Sequence, residues 1–224
     1  MIMHPQLLLQ LLTLFLLLTQ SLSCSYEAPE VLDTFWQLNL VEESPGGQVH
    51  EELTVFVLVN GDSNDMSGLR IEHPEEDLTW DLRPEQWSRI EREGETWVGS
   101  NGIVMPGPDP LPRGEYLLRL ADISGQTAEV SLFLAPAIGR GVRQEELFPS
   151  YTASIPSVEG PVDEFLLSLY GDDDKHRSLI VNKEELSREL IEQWDQQGYE
   201  ELRLFYYEPR YGLGFVSARY QILE

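Results

Sequence analysis

The sequence predicts a mainly β chain, with strands packed as a sandwich or barrel, followed by a smaller α+β region. Three observations carry this. Apolar and polar residues alternate in short runs between Gly, Asn and Asp turns over residues 34–135. A stretch rich in Pro, Gly and Ser then breaks the pattern over 136–161. Beyond it, one helical-period segment sits among further strand-like runs over 162–224.

Ahead of these regions lies an apolar leader. Residues 7–18 read LLLQLLTLFLLL, with Leu on every face. The run is shorter than the about 20 residues that span a bilayer, and small and polar residues come after it, which is the layout of a secretory signal peptide over residues 1–23. Its first six residues, MIMHPQ, carry no Lys or Arg.

The leader ends at Cys24, the single cysteine of the chain. With no second cysteine there is no internal disulfide, and in an oxidising compartment an odd thiol invites intermolecular pairing. The run Ser21-Leu22-Ser23-Cys24 resembles the lipobox of bacterial lipoproteins, with Leu22 one place nearer the cysteine than in the usual pattern. The resemblance covers only this N-terminal stretch. It implies cleavage before Cys24, acylation of that cysteine with chains such as palmitate, and anchoring in the bacterial cell envelope. Ser25, standing where an aspartate acts as an inner-membrane retention signal, favours the outer membrane or the periplasmic face. The residues leave open plain secretion and an uncleaved anchor. A multiply acylated cysteine makes a stable tether, because each buried methylene contributes about 0.8 kcal/mol and one chain alone is marginal. Residues 24–33, CSYEAPEVLD, are polar and proline-broken and suit a short stalk.

Composition bounds the partners. The chain holds 39 acidic against 15 basic residues, a formal charge of -24, with a pI near 4.3. Phosphate backbones need clustered Lys and Arg, so nucleic acid is excluded as a natural partner, and an anionic lipid surface would repel this chain. Hydrophobic residues at 42% and aromatics at 10% are globular values.

Residues 53–60, LTVFVLVN, are β-branched and apolar on both faces, as in a central strand, and run into the turn signal Asn60-Gly61-Asp62. Leu78, Trp80 and Leu82 alternate with Thr79, Asp81 and Arg83, and residues 96–98 come after a Glu93-Gly94-Glu95 turn. Tyr116, Leu118 and Leu120 then alternate with Glu115 and Arg119. After the turn at 122–125, Ala128, Val130, Leu132 and Leu134 alternate with polar residues, which predicts a hairpin with one buried face.

The stretch LPRGEYLLRLADISG, 111–125, resembles the segment of immunoglobulin-like and fibronectin type III domains where a proline and glycine loop leads into a tyrosine-bearing strand. The resemblance extends over residues 34–135 and lacks the cysteine pair of antibody domains. It implies an immunoglobulin-like β-sandwich in which Tyr116 bonds back to the preceding backbone. Such sandwiches carry many unrelated functions, so the fold implies no activity.

Residues 136–161 are read as a linker or long surface loop. Residues 165–170 and 178–181 come next, as strands. Asn182, with Glu185 three residues on, forms a capping-box signature and predicts a helix. Leu186, Leu190, Ile191 and Trp194 share a face of that helix and Gly198 closes it. Residues 202–208 and 215–223, around the turn at 209–212, predict a hairpin over that helix, giving an order β-β-α-β-β.

Motifs for chemistry fail one by one. His50-Glu51-Glu52-Leu53-Thr54 has Thr54 where a zinc-protease helix needs its second histidine, and it leads into a strand. Gly139-Arg140-Gly141 lacks the third glycine of a dinucleotide loop. Asp62, Asn64 and Asp65 suggest a calcium loop, but Met66 replaces an oxygen ligand, and Asp172-Asp173-Asp174 reads as a solvated turn. No nucleophile elbow occurs. The residues therefore predict no catalytic group, no metal and no cofactor.

Aromatics supply the binding lead. Trp80, Trp87 and Trp97 fall in the sandwich, with Trp80 on its inner face, whereas Tyr207 and Tyr211, near the last turn, are the surface candidates for stacking on a sugar or a protein. The sequence thus predicts an exported, lipid-anchored, non-catalytic module for binding, adhesion or assembly, with another envelope protein or a glycan as partner. A carbohydrate-binding module using surface aromatics and a secreted hydrolase with a carboxylate pair are the alternatives.

Overall fold

The apolar alternation of the sequence becomes fourteen strands and one α-helix in the computed structural model, which describes residues 28–60, 63–135, 148–153, 157–172 and 175–223. The leader, Cys24, the Gly61-Asp62 turn, Gly139-Arg140-Gly141, Asp173 and Asp174 lie outside the described residues. The N-terminal region comprises β1 (Glu30–Glu42), β2 (Val49–Asn60), β3 (Met66–His73), β4 (Leu78–Leu82), β5 (Ser88–Arg92), β6 (Glu95–Ile103), β7 (Gly114–Asp122) and β8 (Thr127–Leu134). A small hairpin, β9 (Ser150–Thr152) and β10 (Ser157–Glu159), precedes β11 (Glu164–Gly171), β12 (His176–Asn182), α1 (Arg188–Gln196), β13 (Tyr199–Glu208) and β14 (Leu213–Gln221). The chain is mainly β, with one helix in its C-terminal region.

Within the N-terminal region a pair of sheets lies face to face. One contains the order β1-β2-β6-β5 and the other is β4-β3-β7-β8. Lettered in chain order with β4 as C′, these read A-B-E-D and C′-C-F-G, the strand order of an immunoglobulin-type sandwich. Leu53, Val55 and Val57 of β2 and Val98 of β6 meet Leu69, Ile71, Tyr116, Leu118 and Leu120 of the second sheet in one buried cluster. The Tyr116 hydroxyl donates to the Pro112 carbonyl oxygen at 2.9 Å, the backward bond expected of it. Burial pushes its phenol up to about 12. Glu51 of β2 ties the two sheets together, since its carboxylate accepts from the Arg113 guanidinium and from the Leu111 backbone N–H at 3.0 Å.

The C-terminal region is joined to this sandwich by backbone hydrogen bonds. β14 pairs in parallel with β1, Leu38 opposite Leu213 through Val41 opposite Val216, so that one eight-stranded sheet runs β12-β11-β13-β14-β1-β2-β6-β5. Glu42 secures the junction: one carboxylate oxygen accepts from the Gly46 N–H at 2.7 Å and the other from the Ala218 N–H at 3.1 Å. Residues read as separate domains, 34–135 and 162–224, therefore share a sheet, and β1 already begins within the segment read as tether.

Two local expectations change. The linker segment carries the β9–β10 hairpin, because Tyr151 and Val158 are apolar enough to bury. Tyr151 also donates to the Ile222 carbonyl at 2.8 Å, and Phe148 meets Phe215 edge-on at 5.5 Å. The helix begins later than Asn182. The Asn182 N–H donates to the Glu185 carboxylate at 3.0 Å, but this cap serves only a single 3-10 turn over Lys183–Glu185. Leu186 turns extended and buries, and the Ser187 hydroxyl accepts from the Leu190 N–H to start α1, from which Ile191 and Trp194 enter the core.

The β13–β14 turn carries an acid-sensitive contact. Arg210 donates from Nε and from its backbone N to Glu208 Oε1, at 2.9 and 3.1 Å, and from Nη2 to Oε2 at 2.7 Å. These bonds hold the Glu208 carboxyl well below its ordinary 4.5, at about 2. A depressed carboxylate pKa contributes stability that is present above the unfolded value and is lost as pH falls through the folded one. Acid unfolding followed by circular dichroism should show the stability gap between the native chain and Glu208→Gln closing between pH 4.5 and about 2.

Candidate functional site

Three surfaces differ in chemistry. The outward face of the second sheet is a ladder of charge. Asp81 pairs with Arg70 at 2.6 Å, Glu72 lies 3.6 Å from Arg70 and 3.5 Å from Arg119, and Arg119 pairs with Glu129 at 2.6 Å. Each of these five charges has an opposite neighbour, as on a solvated sheet face, and the exposed Phe133 lies opposite Glu115 on the same face.

A cleft of about 580 Å³ lies beside the β1–β2 turn and is lined by Glu43, His50, Glu51, Met105 and Asp109 among others. It gathers carboxylates, but Glu51 commits both oxygens to Arg113 and Leu111. His50 Nδ1 stands 3.4 Å from Glu43. His50 and Thr54 both lie in β2, where four extended residues span about 13 Å rather than one helical turn, so the zinc-protease reading fails on geometry too. Among the described residues no group of three His, Cys, Asp or Glu is placed to hold a metal ion.

The third surface is the outer face of the eight-stranded sheet. Its inner face is packed by the second sheet under β1, β2 and β6, and by α1 and the β9–β10 hairpin under β11, β13 and β14, whereas every residue of β5 is exposed. The outer face stays open among the described residues: Phe35, Ile90, Leu166, Ile180 and Tyr207 project from it between 38% and 66% exposed. Cross-strand register explains the gathering of apolar groups at one end. Phe35 lies opposite Phe56, Phe56 opposite Gly99, Leu58 opposite Trp97, and Trp97 opposite Ile90.

These residues form a hollow of about 460 Å³ floored by Phe35, Phe56, Ile90 and Trp97 and rimmed by Thr54, Arg92, Glu93, Glu95 and Asn101. Gly99 makes the floor possible. A Cβ there would stand 2.6 Å from Phe56 Cα and 2.8 Å from Phe56 Cγ, so the Phe56 ring rests directly on the glycine. The Trp97 indole N–H makes no hydrogen bond among the described residues, whereas that of Trp80 donates to the Val104 carbonyl at 2.9 Å. The rim is built by the β5–β6 hairpin, whose two turn residues, Glu93 and Gly94, take positive φ of 56° and 85°.

Toward the middle of this face the chemistry turns polar. Gln37 donates to Asn39 at 2.6 Å and Asn39 to the Thr54 hydroxyl at 3.1 Å. Glu52 lies opposite Asn39, and burial pushes its carboxyl above the usual range while Arg203 and His50 draw it back. Tyr207 is exposed on the same face, over β13, but Tyr211 is half-buried against the core with Arg210 5.7 Å over its ring. Neither tyrosine lines the hollow, and Cys24 lies outside the described residues. Trp80 stacks on Tyr116 at 6.2 Å and Trp87 packs against the core.

Phe35, Phe56 and Ile90 were not singled out by the sequence alone. The signal for them was residues 53–60, apolar on both faces although only one face of β2 meets the second sheet, together with Gly99 inside a strand. No family model, no curated protein and no solved structure matches this chain.

Proposed function

We propose that the protein is an exported, lipid-anchored and non-catalytic module of the bacterial cell envelope, which binds or assembles with a partner through the open face of its large sheet. The observation that carries this reading is the aromatic hollow of Phe35, Phe56, Ile90 and Trp97 on that face. Ligand sites are concave, mostly apolar and provided with a few polar groups, and about 460 Å³ lies within their range of about 300–1,000 Å³. Phe133 stands exposed among charges on the other sheet, but here four apolar residues gather in one hollow, and a contiguous apolar patch of that kind marks an interaction site. Cys24, acylated, would hold the chain at a membrane with the short polar stalk as spacer. The charge of -24 turns the folded region away from nucleic acid and from anionic lipid, leaving the acyl chains as the membrane contact.

The test uses the mature chain with Cys24→Ala, returned to a washed envelope fraction. It is expected to sediment with that fraction, and Phe35→Ser, a substitution at a 48% exposed position, should remove the association while leaving the melting temperature unchanged. Equal sedimentation of both chains, or of neither, would contradict the role of this face.

A further inference from the structure

The hollow holds both an apolar floor and unused hydrogen-bonding groups of both kinds. We infer that its ligand is an uncharged saccharide, an inference that rests on the open face being the working face. The floor offers aromatic carbon to the C–H side of a sugar ring, with Phe35 half in solvent and Phe56 pressed onto Gly99 beneath it. Around it stand one free donor, the Trp97 indole N–H, a second from the Arg92 guanidinium, acceptors on Glu93 and Glu95, and the Asn101 amide, which both donates and accepts.

Sugar hydroxyls do both as well, so a saccharide satisfies this mixed set in one orientation. A purely apolar peptide side chain in the same place would strip water from the Trp97 N–H and return no acceptor, which is costly. Formal charge also selects. Arg92 is met by Glu93, 3.8 Å away, and Glu95 adds a further negative charge, so an anionic ligand gains no net attraction at the rim and meets a chain of charge -24. A cationic ligand would find its acceptors only at the exposed margin, where screening leaves such pairs weak. An uncharged polyol avoids both difficulties.

The experiment titrates the mature Cys24→Ala chain, without detergent, with cellohexaose, maltohexaose and N-acetylchitohexaose, reading tryptophan emission and melting temperature. At least one is expected to give a saturable change below about 10 mM, in the range of weak recognition. Trp97→Ala should weaken that binding by about tenfold or more, and Trp97→Phe, which keeps a ring and loses the N–H, by a smaller factor. Asn101→Ala, on the exposed rim, gives a second reading that does not touch the floor, and it too should weaken binding. Ile180→Ser, at the far end of the same face, should bind like the native chain.

No saturable change with any of the three sugars, or binding that survives Trp97→Ala undiminished, would overturn the inference. If the sugars fail while Phe35→Ser still abolishes envelope association, the ligand class alone is wrong and a protein partner takes the hollow. If both fail, the open-face reading falls with it.

Discussion

Replacing Phe215 with alanine is expected to remove about 3–5 kcal/mol of folding free energy, the range for truncating a fully enclosed aromatic ring. Phe215 has no exposed surface, stacks on Tyr206 at 5.1 Å, meets Phe148 edge-on at 5.5 Å, and lies opposite Leu40 across the parallel β1–β14 seam. A loss of that size is a large share of the about 5–15 kcal/mol that holds most domains folded. It should also be felt on both sides of the seam. Trp36, Trp80, Trp87 and Trp97 report on the sandwich, while Trp194 sits in α1. With one sheet running through both regions, urea unfolding of the native chain read by fluorescence and by far-ultraviolet circular dichroism should coincide. The variant should shift both curves together to lower urea.

Gly99→Ala is the second large effect. The added Cβ would overlap the Val55 carbonyl oxygen and crowd Phe56 Cα and Cγ, and two of these are backbone atoms of the neighbouring strand that cannot swing aside. Relief requires β6 to move off β2 and the Phe56 ring to lift. Overpacking of this kind costs about 1–3 kcal/mol, and backbone partners place Gly99 at the upper end. The midpoint in urea should drop with an unchanged slope. Ligand binding in the hollow should be lost as well, because its floor is built on this contact. Gly102→Ala provides the comparison: its Cβ would lie 3.9 Å from the Ser100 hydroxyl oxygen, an ordinary contact, and little change is expected.

Much of the local structure was legible because it rests on short-range chemistry. Alternation located β4, β7, β8 and β14, and the resemblance of residues 111–125 to immunoglobulin-like domains anticipated the bond from Tyr116 back to Pro112. The features that were not legible depend on pairing between distant segments. Nothing in the residues of β1 or β14 names the other as a parallel neighbour, since both are simply apolar strands, and so the two regions read as separate domains. The helix start was misplaced for a related reason: Asn182 and Glu185 do form their cap, but burial of Leu186 ends the turn, and Ser187 caps α1 instead. The hollow escaped notice because Phe35, Phe56, Trp97 and Ile90 come from four strands and converge only through register.

An exported chain tethered at Cys24 and presenting this face is the central claim, and intact mass measured on the protein from the bacterial membrane fraction, beside Cys24→Ala, tests it most directly. The expected result is a mature chain beginning at Cys24 with added acyl mass, and a variant that lacks that mass. An unmodified chain found in the soluble fraction, with Cys24 as a free thiol, would contradict it.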